Sequence, residues 1–287
     1  MQGLIAQVSS QLTEYAKVFR KGLSDYVWRG LMRSLIIFGC TLLLAMPSHG
    51  LERGFDFSQG GDQIVVRVKL QEDLKLRQMK AIYRSRICTF LDYSASGVAS
   101  ERDGYNNTIL QPYRDGESDN YKAILVIDGG GECQWELSNL TFGVDYKYPE
   151  RFGKDVQVAG AGGITVVFDD NQPQQGGSHR MVEGDLNIVE DYYLLVSDRP
   201  GRHPRINVGL TAEDGVYPSY KAKAARVINF EPRLHSSYVT YSSRPEVKAK
   251  GGHVKFTYPD GSVVADGRVR PDFKRLQCIR LPSECDG

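Results

Sequence analysis

The sequence predicts a mostly β chain, a sandwich or barrel-like single domain behind an N-terminal secretory segment. Three observations carry this expectation. Between residues 64 and 269 apolar side chains repeatedly alternate with polar ones, the period of half-buried strands. Turn residues punctuate these runs, among them Asp103-Gly104, Asp115-Gly116 and Pro259-Asp260-Gly261,. Four cysteines lie beyond residue 50, an even number of the kind that forms disulfides in an oxidising compartment.

The N-terminus predicts export. Leu35 to Met46 reads LIIFGCTLLLAM, twelve residues without a charge. Arg29 and Arg33 precede it, Pro47 breaks it, and Ser48-His49-Gly50 places small residues two apart. A basic flank, a short apolar run and a small-residue exit make a secretory signal. The run is well short of the ~20 residues that span a bilayer as a helix. Residues 1–50 therefore read as an N-terminal extension and signal, and 51–287 as an exported, periplasmic domain. Cys40, after Ile37-Phe38-Gly39, offers lipidation as a second outcome, against which the bulk of Phe38 counts. Ahead of the signal, Leu4, Val8, Leu12, Tyr15, Phe19, Leu23, Tyr26 and Leu31 recur at helical spacing. They suit either a helix lying on a membrane surface or untranslated sequence upstream of a start at Met32. Membrane contact is expected only through this N-terminal segment.

Residues 1–50 hold five of the 36 Lys/Arg and two of the 35 Asp/Glu, which leaves 31 basic and 33 acidic residues beyond them. A net charge near −2 offers no electrostatic footprint for nucleic acid. The four remaining cysteines are Cys88, Cys133, Cys278 and Cys285. Cys278 and Cys285 are close, with Pro282 to turn the chain between them, and are expected to pair. That leaves Cys88 with Cys133. No Cys-x-x-Cys and no suitably spaced His support zinc, and no cofactor is expected.

The elements follow in order. Ile64, Val66, Val68 and Leu70 alternate with polar or smaller partners and predict a strand. Residues 71–80 read as a short charged helix or a return arm. A strand is expected over 81–93, then a long polar surface loop over 94–120 with a short extended piece at Ile109-Leu110. Residues 121–127 predict a buried strand that ends in a turn or bulge at Asp128-Gly129-Gly130-Gly131. Residues 133–148 predict two extended pieces split near Ser138-Asn139. Further strands are expected over 163–168, 205–210, 225–230 and 238–241, and a strand or hairpin over 186–196. A hairpin of 254–258 and 262–269 is expected about Pro259-Asp260-Gly261. The glycine-rich stretch 170–185 is the one place where a domain boundary could fall.

No catalytic signature stands out. The chain has no G-x-S-x-G elbow, no H-E-x-x-H and no P-loop,. Gly160-Ala161-Gly162-Gly163 precedes a strand and reads as a turn. Asp169-Asp170-Asn171 offers calcium-type oxygen ligands without EF-hand spacing, and reads as a solvated loop. Ser178-His179, His203, His235 and His253 read as exposed loop residues. Trp135, two residues after Cys133, is expected to pack on the disulfide. The tyrosines at 192, 193, 217, 220, 238 and 241 suit either sheet faces or a recognition surface.

The stretch Asp128-Gly-Gly-Gly-Glu-Cys133-Gln-Trp135-Glu-Leu-Ser-Asn-Leu-Thr-Phe-Gly143-Val144 resembles a segment of periplasmic immunity-type proteins from type VI secretion lipase effector loci. The likeness covers seventeen residues. It implies a non-catalytic protein whose partner is another protein, a secreted toxin, and it carries no contact residues onto this chain. The expected function is a periplasmic protein-binding module, not an enzyme. An envelope structural or adhesive module and a hydrolase are the alternatives.

Overall fold

The computed structural model describes residues 54–170, 179–200, 205–213, 215, 217–245 and 252–285. The export signal, its cleavage site and Cys40 lie outside these residues. Glu52–Gly287 forms one compact unit. It is mostly β, two sheets with a half-barrel curl.

The chain enters through Gly54–Asp56 and a 3-10 turn at Phe57–Gln59, then forms β1 (Gln63–Lys69). Ile64, Val66 and Val68 of β1 are buried while their neighbours face outward, as their alternation predicts. Residues 71–80 contain no helix; Leu74–Leu76 is a short strand, β2. β3 (Met79–Tyr93) is long. Its partner β4 (Ala99–Leu110) overturns the expected loop at 94–120. Much of β4 is exposed on both faces, so no apolar alternation marked it. β5 (Tyr113–Arg114), β6 (Asn120–Val126) and β7 (Asp128–Gly130) follow. β8 (Trp135–Tyr146) is one strand rather than two. The expected break survives as a bulge: Ile82 of β3 faces Asn139, Tyr83 faces Leu137, and Ser138 is left over,.

Next come β9 (Gln157–Val158), β10 (Gly162–Val167), β11 (Arg180–Met181), β12 (Leu186–Arg199), β13 (Arg205–Thr211) and β14 (Ser219–Lys221). β15 (Val227–Ser243) merges two expected strands into seventeen residues. A bulge at Ser236–Tyr238 hides its continuity, since Tyr193 pairs with His235 and Leu194 with Val239. β16 (Lys255–Thr257) and β17 (Val263–Val264) make the predicted hairpin, but the second arm stops well before Val269. The chain then forms an unexpected helix, α1 (Phe273–Arg280). Asp272 caps it by accepting from the Arg275 backbone N–H at 3.1 Å,.

Among the described residues one sheet runs β5-β6-β1-β15-β12-β13-β9, with β16 and β17 attached, and the other runs β11-β14-β10-β8-β3-β4, with β2 and β7 against β8. Both sheets are mixed: β15 lies parallel to β1 and to β12 in the first, and β10 parallel to β14 in the second. The main core fills the space between the sheets, where Phe142 and Phe230 meet edge to face at 5.7 Å. A smaller core of Tyr193, Phe256, Tyr258 and Leu276 seats α1 and the hairpin on the first sheet.

Candidate functional site

The segment quoted above, residues 128–144, spans β7, a tight turn and the central strand β8. Its glycines have a backbone reason. Gly130 and Gly131 have φ of +54° and +70°, which L side chains rarely adopt. Added Cβ atoms there would press on the carbonyl oxygens of Asp56 and Gly54. The entering chain thus lies directly on this turn, and Asp56 N–H donates to the Gly129 carbonyl at 2.9 Å. Phe55 meets Tyr83 at 4.9 Å and Trp135 at 6.0 Å. Burial pushes the Tyr83 hydroxyl up to about 12; it donates to the Val126 carbonyl at 2.6 Å.

Cys88 and Cys133 are bonded, with Cα atoms 5.3 Å apart, and so are Cys278 and Cys285, at 5.5 Å. Cys88 belongs to a bulge in β3: residues 86–89 face only Asp103 of β4. Ser85 Oγ organises it, accepting from the N–H of Ile87 and Cys88 and donating to the Cys133 carbonyl at 2.5 Å. Trp135 is buried beside it, and its indole N–H has no hydrogen-bond partner.

Between the bulge, the turn and the end of β10 opens a cleft of about 560 Å³. It adjoins a second of about 600 Å³ that shares Gln134, Glu136, Leu137, Phe168, Asp169 and Lys223 with it. Gln134, at φ 48°, is the one described non-glycine residue with positive φ. Its strain is held in place by the neighbouring disulfide and by its own N–H donating to the Gly131 carbonyl,. Part of the cleft's charge is internally paired. Arg84 lies 3.9 Å from Asp169. Lys223 and Lys221 reach Asp170 at 2.6 and 2.9 Å and hold its carboxyl down at about 2. Asp169 and Asp170 lie in a bend, and Asp170 stays 80% exposed, as a solvated loop implies, while both carboxylates carry ion pairs; Asn171 lies outside the described residues. Among the described residues no group of three His, Cys, Asp or Glu side chains could hold a metal.

His235 corrects the sequence reading, while His253 bears it out. His235 sits on β15, not in a loop, and meets Asp191 at 2.7 Å. Arg280 of α1 joins the same carboxylate at 3.7 Å and donates to the Tyr193 hydroxyl at 2.9 Å. This His-Asp-Arg-Tyr group ties α1 to the sheet. His179 Nδ1 lies 2.9 Å from Ser219 Oγ, His253 is exposed, and Ser178 and His203 lie outside the described residues. Gly162 and Gly163 open β10 rather than forming a turn.

The tyrosines form no joint surface. Tyr192, Tyr193 and Tyr220 are core, Tyr217 and Tyr238 are half-buried, and Tyr241 is exposed. The exposed apolar side chains gather elsewhere, on the β3–β4 hairpin. Leu91, Tyr93, Val98 and Tyr105 are each at least 60% exposed there. Polar turn composition concealed this hairpin in the sequence; the exposed apolar residues inside it were the available signal. No described helix is long and apolar enough to cross a membrane. Comparison with protein-family models, curated proteins and solved structures finds no match.

Proposed function

We propose that this chain is exported and works by binding another protein without catalysis, in the manner of a periplasmic immunity protein that neutralises a secreted effector. The observation that carries the reading is the β3–β4 hairpin, where Leu91, Tyr93 and Val98 toward its tip and Tyr105 further along β4 are each at least 60% exposed. Exposed apolar side chains concentrated on one element of a folded domain point to an interaction surface. Two disulfides suit an oxidising compartment,, and Arg84, Asp169, Asp170 and Lys223 of the cleft are engaged in ion pairs.

The test is affinity capture from periplasmic extract with the full chain and with the double variant Leu91→Glu, Tyr93→Glu. A partner retained by the wild type and lost from the variant supports the reading. Equal capture by both, or hydrolytic turnover by the purified chain that is lost on substitution of a histidine, overturns it. The intact mass of the same periplasmic protein should correspond to a chain beginning at Leu51. A mass that includes residues 1–50 would remove the signal assignment.

A further inference from the structure

Resting on that reading, we propose that β4 takes up the partner as an added strand, and that the partner's segment is extended and carries basic side chains two residues apart. β4 ends its sheet and, among the described residues, pairs only with β3. At twelve residues it is long for an edge,. It contains neither proline nor lysine, two usual means of blunting an edge. An edge of this kind offers a row of backbone donors and acceptors to a second strand, while side chains at alternate positions set which strand fits.

The side chains of β4 state that preference. Glu101, Asp103 and Tyr105 occupy alternate positions and share one face of the strand,. Arg102 points to the other face, where Asp92 holds its guanidinium at 2.6 Å. Glu101 accepts a hydrogen bond from Thr89 Oγ1 at 2.5 Å and Asp103 shares its cleft with Arg84 and Arg86, but among the described residues Arg102 forms its ion pair with Asp92 and not with either carboxylate. A strand with Lys or Arg opposite Glu101 and Asp103 gains two cross-strand ion pairs, and one with acidic residues there is repelled. A cavity of about 380 Å³ opens between the bulge and β4, lined by Phe90, Gly104, Tyr105, Asn106 and Trp135. It suits an apolar side chain further along the same segment.

A second copy of the chain fits less well. In a two-fold antiparallel pairing, opposed residues must both turn their backbone groups toward each other or both away. Even-numbered positions then meet even ones and odd meet odd. Arg102 never faces Glu101 or Asp103 of the copy, so no ion pair is gained.

The experiment uses the full chain and two synthetic ten-residue peptides of alternating Thr and Val. One carries two Lys at alternate positions and the other carries two Glu in their place. Binding is followed by intrinsic fluorescence and by amide exchange. The Lys peptide should bind at least tenfold more tightly and slow exchange within residues 99–110. Glu101→Lys, at an exposed position, should reduce that preference, and Glu101→Lys with Asp103→Lys should invert it. Equal binding of both peptides, protection confined to other strands, or no binding overturns the proposal. So does protection of β4 before any peptide is added, which would mean that another part of the chain or a second copy already covers the edge. If Glu101→Lys captures the extract partner as well as the wild type does, strand addition fails while the protein-binding reading stands.

Discussion

Gly104 of β4 lies against the Cys88 carbonyl so closely that a Cβ at that position would overlap the oxygen. The contact exists because four residues of β3 bulge opposite one residue of β4. The obstacle is backbone, which Ser85 and the disulfide hold from the other side. Gly104→Ala must therefore push the bulge away or bend the edge strand. The expected cost is about 1–3 kcal/mol, the usual range for overpacking. Thermal unfolding should show a fall of several degrees, together with faster exchange in residues 99–110. An unchanged melting temperature would show that the bulge yields freely.

The two disulfides should differ in weight. Cys88–Cys133 closes 45 residues and Cys278–Cys285 closes seven. In the chain-entropy model the first restricts the unfolded chain by about 4 kcal/mol and the second by about 2 kcal/mol. Cys88→Ser should lower the melting temperature more than Cys285→Ser does. The reverse order would place the larger effect in the C-terminal packing rather than in the loop.

Glu190 should make stability fall as pH rises. Its side chain lies on the core-facing side of β12 with Ile188 and Tyr192. Burial raises its carboxyl to about 7; Arg180 opposes the rise, and Asp191 and Glu213 add to it. The unfolded chain ionises near 4.5 while the folded chain still holds its proton. Stability from this group is therefore lost between about pH 4.5 and 7 and levels off above that. Glu190→Gln should raise the urea midpoint at pH 8 relative to wild type and flatten its decline from pH 5. A variant that is less stable than wild type at pH 8 would mean that the ionised carboxylate has a stabilising partner.

α1 should open before the body of the domain does. Leu276 is its one fully buried side chain and belongs to the smaller core. Leu276→Ala should cost about 2–5 kcal/mol of local stability. Arg280→Ala removes the link to Tyr193 and Asp191 and should act in the same direction. Exchange within residues 273–281 should accelerate tenfold or more while β8 and β12 stay protected. Equal acceleration in those strands would show that the two cores unfold as one.

By itself the sequence determined the β class, the buried alternation of β1, the hairpin at Pro259-Asp260-Gly261 and the Cys88–Cys133 pairing. Each rests on local signals: a period of two, a turn tripeptide, an even cysteine count. It also held a readable signal for α1, since Asp272 stands at the cap position and Phe273, Leu276 and Ile279 follow three apart. Competing strand-like residues over 262–269 masked it. The tertiary structure decided what depends on distant neighbours. β4 is a strand because β3 supplies its hydrogen bonds, although much of it faces water on both sides. Residues 227–243 form one strand because β12 runs beside them through the bulge. Tyr193 is buried because α1 returns to cover it, and His235 has a carboxylate partner because parallel pairing sets it beside Asp191. An edge, a bulge and a covered face are relations between segments remote in the chain, and local residue patterns do not encode which remote segment arrives.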